Sequence, residues 1–210
     1  MPEKKRTRIQ IRNEEKILEA AQSVFAAYGF HGATVEKVAA LADMSQPNLH
    51  HYFKTKADLY IAVLDRTLDI WIEPLGGLDP HGDPATELSN YIGQKMDMAR
   101  RHPIASRLFA NEMLQGAPIL EPHLKSRVKA AVEDWVVVVR LWIKAGKLRD
   151  VDPYHLIFMI WATTQHYSDF LPQVRAVMGV SRFTKAHFEA ARTSIVDIVL
   201  RGLIPEKPRT

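Results

Sequence analysis

Residues 34–60 read TVEKVAALADMSQPNLHHYFKTKADLY, and their caps and apolar spacing predict two short helices, a tight turn between them and the start of a third. Thr34 is a helix-capping residue, because the first backbone N–H groups of a helix have no intrahelical partner. Val35, Val38, Ala39 and Ala42 then recur on one face. Asp43-Met44 interrupts that pattern, and Ser45 can cap a second helix opened by Gln46, Pro47 and Asn48. Proline is tolerated there, since a first-turn N–H is unpaired in any case. Leu49 faces inward, Tyr52 and Phe53 close the unit, and Thr55 with Asp58 forms a weaker capping box for the next helix. Two helices of about eight residues around a three- or four-residue turn have helix-turn-helix spacing. Such a unit has little core of its own. The segment Asn13–Tyr28 supplies one, with Ile17, Leu18, Ala21, Val24, Phe25 and Tyr28 on one stripe and Gly29 as a left-handed cap. Gln46, Asn48, His50 and His51 are then left on a polar face able to reach base edges or phosphates.

The charge distribution agrees with a polyanionic partner. Formal net charge is +4. Residues 1–12 carry Lys4, Lys5, Arg6, Arg8 and Arg12 against Glu3, so the excess sits on an arm leading into the predicted reading unit. Cysteine is absent, which excludes disulfides, thiolate zinc sites and a cysteine nucleophile. The amino-terminal residues show no apolar signal segment, and the most apolar run, LIFMIWA at 156–162, is far short of the roughly 20 residues that cross a bilayer. A cytoplasmic protein is expected.

Beyond Lys56 the chain reads as helices with ordinary punctuation, and no alternating strand appears; the expected fold class is all-α. A long helix should run from Lys56 to Pro74 and join the reading unit to the remainder, with the domains divided as 1–58 and 59–210. The Gly/Pro/Asp-dense stretch 74–84 is a loop. Further helices are expected from Pro84 to His102, Pro103 to Gly116, Pro122 to Ala145, Pro153 to Pro172, and Lys185 to Gly202. The last two are apolar nearly all round, so each needs cover on more than one side.

The run FAAYGFHGATVEKVAALADMSQPNLHHYFKTKADLY resembles the DNA-binding domain of TetR-family repressors, through Phe25, Gly29, Thr34, Ala39, Ser45, Leu49, Tyr52, Phe53, Lys56 and Leu59. Asp43 stands where such domains usually carry glycine. The resemblance implies a homodimer whose last helices form a four-helix interface, binding a palindromic double-stranded DNA operator. It implies that Ser45, Gln46, Pro47, Asn48, His50 and His51 lie at the DNA, with Gln46, Asn48 and His51 reading bases and Thr34, Tyr52 and Lys56 holding phosphates. RLFANEMLQGAPIL (107–120) and LIFMIWATTQHYSDFLPQV (156–174) are similar to a narrower group, the pyrimidine-utilisation repressors, in register from residue 59 to residue 205. That implies a small effector, uracil or thymine.

The residues suit such a ligand. Gln165 offers a donor and an acceptor side by side for the edge of a pyrimidine. Trp161, Tyr167 and Phe109 offer flat apolar faces, Thr164, Asn111 and Glu112 could meet remaining edge groups, and Arg107 could balance Glu112. Aromatic residues at helical spacing equally suit a core, and Arg107 with Glu112 equally suits a partly buried pair. No GxSxG, P-loop, GxGxxG or HExxH occurs. His166 and Asp169 are three apart but too few for a metal site, so no catalytic group, cofactor or metal is expected. The alternatives are a repressor of the same type with another metabolite, and an all-helical enzyme, for which no catalytic constellation appears.

Overall fold

A computed structural model describes residues 7–205. Eleven α-helices account for most of it, and there is no strand among the described residues. They are α1 Arg8–Gly32, α2 Val35–Leu41, α3 Gln46–Tyr52, α4 Lys56–Ile72, α5 Pro84–Arg101, α6 Pro103–Leu114, α7 Glu121–His123, α8 Lys129–Lys144, α9 Pro153–Asp169, α10 Leu171–Met178 and α11 Lys185–Leu203. A 3₁₀ turn, Glu73–Gly77, follows α4, and a π turn, Leu124–Val128, sits between α7 and α8. The all-α expectation is met.

The chain divides into two compact units. One comprises Met1–Leu68 with Arg107–Leu120, the other Asp69–Ser106 with Glu121–Thr210. The division falls inside α4 and inside α6.

In the first unit, α1 to α3 and most of α4 bury Ile17, Ala21, Phe25, Val38, Leu49, Leu59 and Leu64. The Phe25 ring meets the Tyr60 ring edge-on at 4.8 Å. Local chemistry sets the ends as expected. The Thr34 hydroxyl accepts from Lys37 N–H, the Ser45 hydroxyl from Asn48 N–H, and Thr55 and Asp58 exchange hydrogen bonds at 3.0 Å. Three expectations fail. Helix α1 starts five residues before Asn13, where Thr7 and Gln10 form a capping box. Tyr28 is 56 % exposed rather than part of the stripe. Gly29 ends the regular helix, but with φ 66° and ψ 177°, not the left-handed helical pair. That region is open essentially only to glycine.

In the second unit, α5 packs on α9 and α11. Their core includes Leu88, Ile92, Trp135, Val139, Trp142, Ile157 and Ile160. The Trp142 indole N–H donates to the Pro80 carbonyl at 3.0 Å and so ties down the 78–83 loop. Asp83 and Asp152 cap α5 and α9, each ahead of a first-turn proline. The helix expected over 122–145 is interrupted by the π turn. The helix expected to last until Pro172 ends at Asp169, and Pro172 instead lies in the first turn of α10. Proline fits a first turn as well as it stops a last one, so sequence alone does not choose.

Candidate functional site

The first unit carries the expected nucleic-acid face. Helix α3 buries one large apolar side chain, Leu49, and leaves Gln46, Pro47, Asn48 and His51 exposed. Seven residues cannot form a stable helix alone, so α3 is held by Leu49, by the Ser45 cap and by Tyr52, whose hydroxyl accepts from Asn13 Nδ2 at 3.1 Å. The adjacent histidines diverge: His50 Nδ1 pairs with the Lys54 carbonyl at 3.2 Å, whereas His51 is exposed. Asp43 takes φ 52° in the turn and pairs with Lys16 at the surface, consistent with an aspartate filling a glycine position. Thr34 is exposed at the start of α2. Lys56 is more occupied than its expected phosphate role suggests. Its ammonium donates to the carbonyls of Phe30 (2.8 Å) and Ala33 (3.1 Å), and lies 4.6 Å from the Phe30 ring centre. It therefore fastens the turn after Gly29 to α4. Of the basic arm, Lys4, Lys5 and Arg6 lie outside the described residues, while Arg8 and Arg12 are exposed on α1.

The eight expected ligand residues are divided between the units. Arg107, Phe109, Asn111 and Glu112 belong to the first, Trp161, Thr164, Gln165 and Tyr167 to the second. Glu112 is only 1 % exposed, and its partners are not the expected ones. One carboxylate oxygen accepts from the Tyr60 hydroxyl at 2.7 Å, the other from Ile119 and Leu120 N–H at 2.7 and 3.1 Å. Burial, then the carboxylate, pushes the Tyr60 phenol well above its ordinary pKa. Arg107 is exposed; Glu112 is satisfied without it and closes the 117–120 loop, where Ala117 has φ 56°. Asn111 Nδ2 reaches the Ala26 carbonyl at 3.5 Å, and Phe109 is half-buried. In the second unit the buried Thr164 hydroxyl is spent on the Ile160 carbonyl one turn back, at 2.7 Å. Tyr167 stacks on Phe183 at 5.7 Å. Both are packing residues of α9.

Trp161 and Gln165 stand differently. They are four apart on α9, and Asp169 is four further on, so the three share a stripe. The Trp161 indole N–H donates to the Tyr91 hydroxyl of α5 at 2.7 Å. The half-buried Gln165 carboxamide has no hydrogen-bond partner among the described residues. Opposite, Lys95 lies one turn beyond Tyr91 and is 3 % exposed. Its ammonium sits 4.3 Å from the Trp71 ring centre and 5.9 Å from that of Trp161. Burial lowers its pKa from 10.5 to about 7, against an opposing pull from Asp169. The Asp169 carboxylate accepts from the hydroxyls of Ser106 and Ser168. Burial raises its pKa in turn. The sequence reading missed Lys95, Trp71, Tyr91, Ser106 and Ser168 as site residues. One signal was available: Lys95 occupies a core place in the stripe Leu88, Tyr91, Ile92, Met96, Ala99, where a charge is costly.

This arrangement offers flat indole faces, a buried donor and a free carboxamide, with no nucleophile–base pair around them. His166 stacks on Phe170 at 5.2 Å. No group of three or more metal-ligating side chains occurs among the described residues. Nor is any described helix long and apolar enough to cross a membrane.

Comparison with known proteins agrees with this layout. The family model for bacterial regulatory proteins of the tetR family matches residues 17–63, and that for the YcdC-like protein C-terminal region matches residues 64–206. The HTH-type transcriptional regulator RutR of Escherichia coli K12 is 43 % identical over 201 residues, covering 96 % of this chain and 95 % of its own. The HTH-type transcriptional repressor NicS of Pseudomonas putida is 27 % identical, covering 91 % and 92 %. Among solved structures, the transcriptional regulator SCO4942 from Streptomyces coelicolor superposes with a TM-score of 0.72 at 24 % identity, over 94 % of this chain and 99 % of that one. With a reading head in its first unit and family models matched across both, the chain belongs to the TetR family of bacterial transcriptional regulators.

Proposed function

We propose that this regulator represses pyrimidine-utilisation genes from a palindromic operator and releases it when uracil or thymine fills the second unit. The observation that carries the ligand assignment is the pairing of a buried lysine without an acceptor and a free carboxamide against indole faces. A pyrimidinedione is flat, with two carbonyl acceptors and two ring N–H donors. Its faces suit Trp161 and Trp71, and a carbonyl suits the Lys95 ammonium. The ring edge suits the Gln165 carboxamide, and a ring N–H suits the Asp169 carboxylate. Likeness to RutR, at 43 % identity over nearly the whole chain, supports the same reading.

On the DNA side, Gln46, Asn48 and His51 read bases while Thr34, Ser45 and Tyr52 hold phosphates, and the protein acts in the cytoplasm where its operator lies. It works as a homodimer, since two heads must meet half-sites about 34 Å apart. The outer faces of α9 and α11 suit the dimer seam. Phe158, Met159 and Ile198 are exposed there, beside an apolar groove of about 470 Å³ lined by Val151, His155, Met159, Ile198 and Gly202. Titrating uracil and thymine into protein bound to its operator, with DNA release followed by fluorescence anisotropy, tests the assignment. Release at micromolar base is expected, and a complex indifferent to both would remove the pyrimidine reading.

A further inference from the structure

We propose that Lys95 is a proton-coupled selector: the site admits a ligand presenting an oxygen acceptor, a carbonyl or an oxyanion, and filling it loads a proton onto the Lys95 amine. This rests on reading the Lys95–Trp161–Gln165 cluster as the effector site. The geometry comes first. Lys95 is almost fully buried, yet none of its N–H bonds meets an acceptor among the described residues. The faces of Trp71 and Trp161 lie 4.3 and 5.9 Å from it, measured to the ring centres. The one carboxylate whose field reaches it, Asp169, already accepts from two serine hydroxyls.

An ammonium almost fully buried and without a protein acceptor is poorly supported, and the neutral amine gains. The groups facing it do not reverse this. Helix α9 brings Asp169, with His166 beside it, and α5 itself brings the Tyr91 phenol, which burial keeps protonated. Trp71 of α4 and Ser106 of α6 are uncharged. The Arg192 guanidinium of α11 lies against Gly93, two residues away and on another side of α5. Near neutral pH the empty site therefore holds Lys95 partly deprotonated, since burial brings its pKa to about 7. A ligand oxygen supplies the missing acceptor. The amine lone pair then takes a proton from solvent, and no other bond forms or breaks. A ligand offering only donors pairs instead with the lone pair of the neutral amine, and so loads no proton.

The test is a pH titration of the full-length protein with ¹³C-labelled lysine side chains, without and with uracil. One Cε resonance, shifted upfield by the Trp71 ring and absent from Lys95→Met, should titrate near neutrality. If every lysine titrates in its ordinary range, the proposal is overturned, whatever the variant does. Uracil should move that titration upward, and its affinity should fall about tenfold between pH 6 and pH 8, as loading one proton requires. His166→Asn should keep that slope and Lys95→Met should flatten it. Uracil binding equally well at both pH values would overturn the coupling while leaving the effector site standing. If uracil does not bind, the pyrimidine reading fails and benzoate, a flat oxyanion, becomes the probe. A titration that benzoate raises keeps the selector, and one that it leaves unmoved overturns it.

Discussion

Single residues in this chain are held in conditions that only one side chain satisfies. Gly29 is the clearest, with φ 66° and ψ 177° and open space around its absent Cβ. Nothing would clash, so Gly29→Ala isolates the backbone cost, which should be about 1–3 kcal/mol. An unchanged urea midpoint would refute that conformation. Lys95 gives a prediction with a definite sign. Its folded pKa of about 7 lies below its ordinary 10.5, so between them the unfolded chain binds more protons than the folded one. Stability of the ligand-free protein should rise with pH across that window, with the burial cost fully present below it. Lys95→Met should stabilise the empty protein at neutral pH by about 1–3 kcal/mol, because an apolar side chain fills the site without a charge. A melting temperature that falls instead would mean the ammonium is supported. On the reading helix, Asn48→Ala should relax preference at one base pair by about 1–3 kcal/mol. Equal losses on operator and random DNA would reassign Asn48 to a phosphate. Thr34, Ser45 and Asn48 were legible in sequence because caps and exposed polar positions are local properties. The bonds of Lys56 to Phe30 and Ala33, and of Glu112 to Tyr60, were not, since the partners lie 26, 23 and 52 positions away.

At the scale of elements, α9 and α11 show how apolar content can mislead about facing. Both helices were too apolar to be covered on one side, which pointed to a second subunit. Within α11, however, Ile195 is 8 % exposed and belongs to the protein's own core, whereas Ile198, three residues on, is 70 % exposed. The residue to challenge the proposed seam is therefore Ile198. Ile198→Glu should split a dimer, because a charge closed into an apolar interface has no partner. Sedimentation showing an intact dimer would move the seam elsewhere. The same variant should leave the monomer folded, which Ile195→Glu would not. Helix α10 shows the complementary difficulty: Pro172 lies in its first turn, not at the end of α9, and Gly179 caps it in the left-handed conformation.

At the scale of the whole molecule, the proposed effector site and the proposed reading face belong to different units of one chain, and a ligand affects an operator only by preferring one overall state. Gln165→Leu retains similar bulk but removes both amide groups from the site. It should lose about 1–3 kcal/mol of effector affinity, roughly ten- to a hundredfold. Operator binding without ligand should survive, giving a repressor that stays on DNA in uracil. Parallel responses of wild type and variant in an anisotropy titration would return Gln165 to packing.

The sequence by itself determined the class, the helix-turn-helix and most helix starts. These follow from caps, prolines and periodicity acting over a few residues, and the resemblance was carried by contiguous runs. It also offered Trp161 and Gln165 as candidates, through the resemblance and the chemistry of their side chains. Only the tertiary structure decided which expected ligand residues are spent elsewhere: Glu112 on Tyr60 and the 119–120 backbone, Tyr167 on Phe183. Only it brought Trp71 and Trp161 to Lys95, and Ser106 to Asp169. These residues come from four helices far apart in the chain, and a buried charge is set by neighbours that no local pattern encodes.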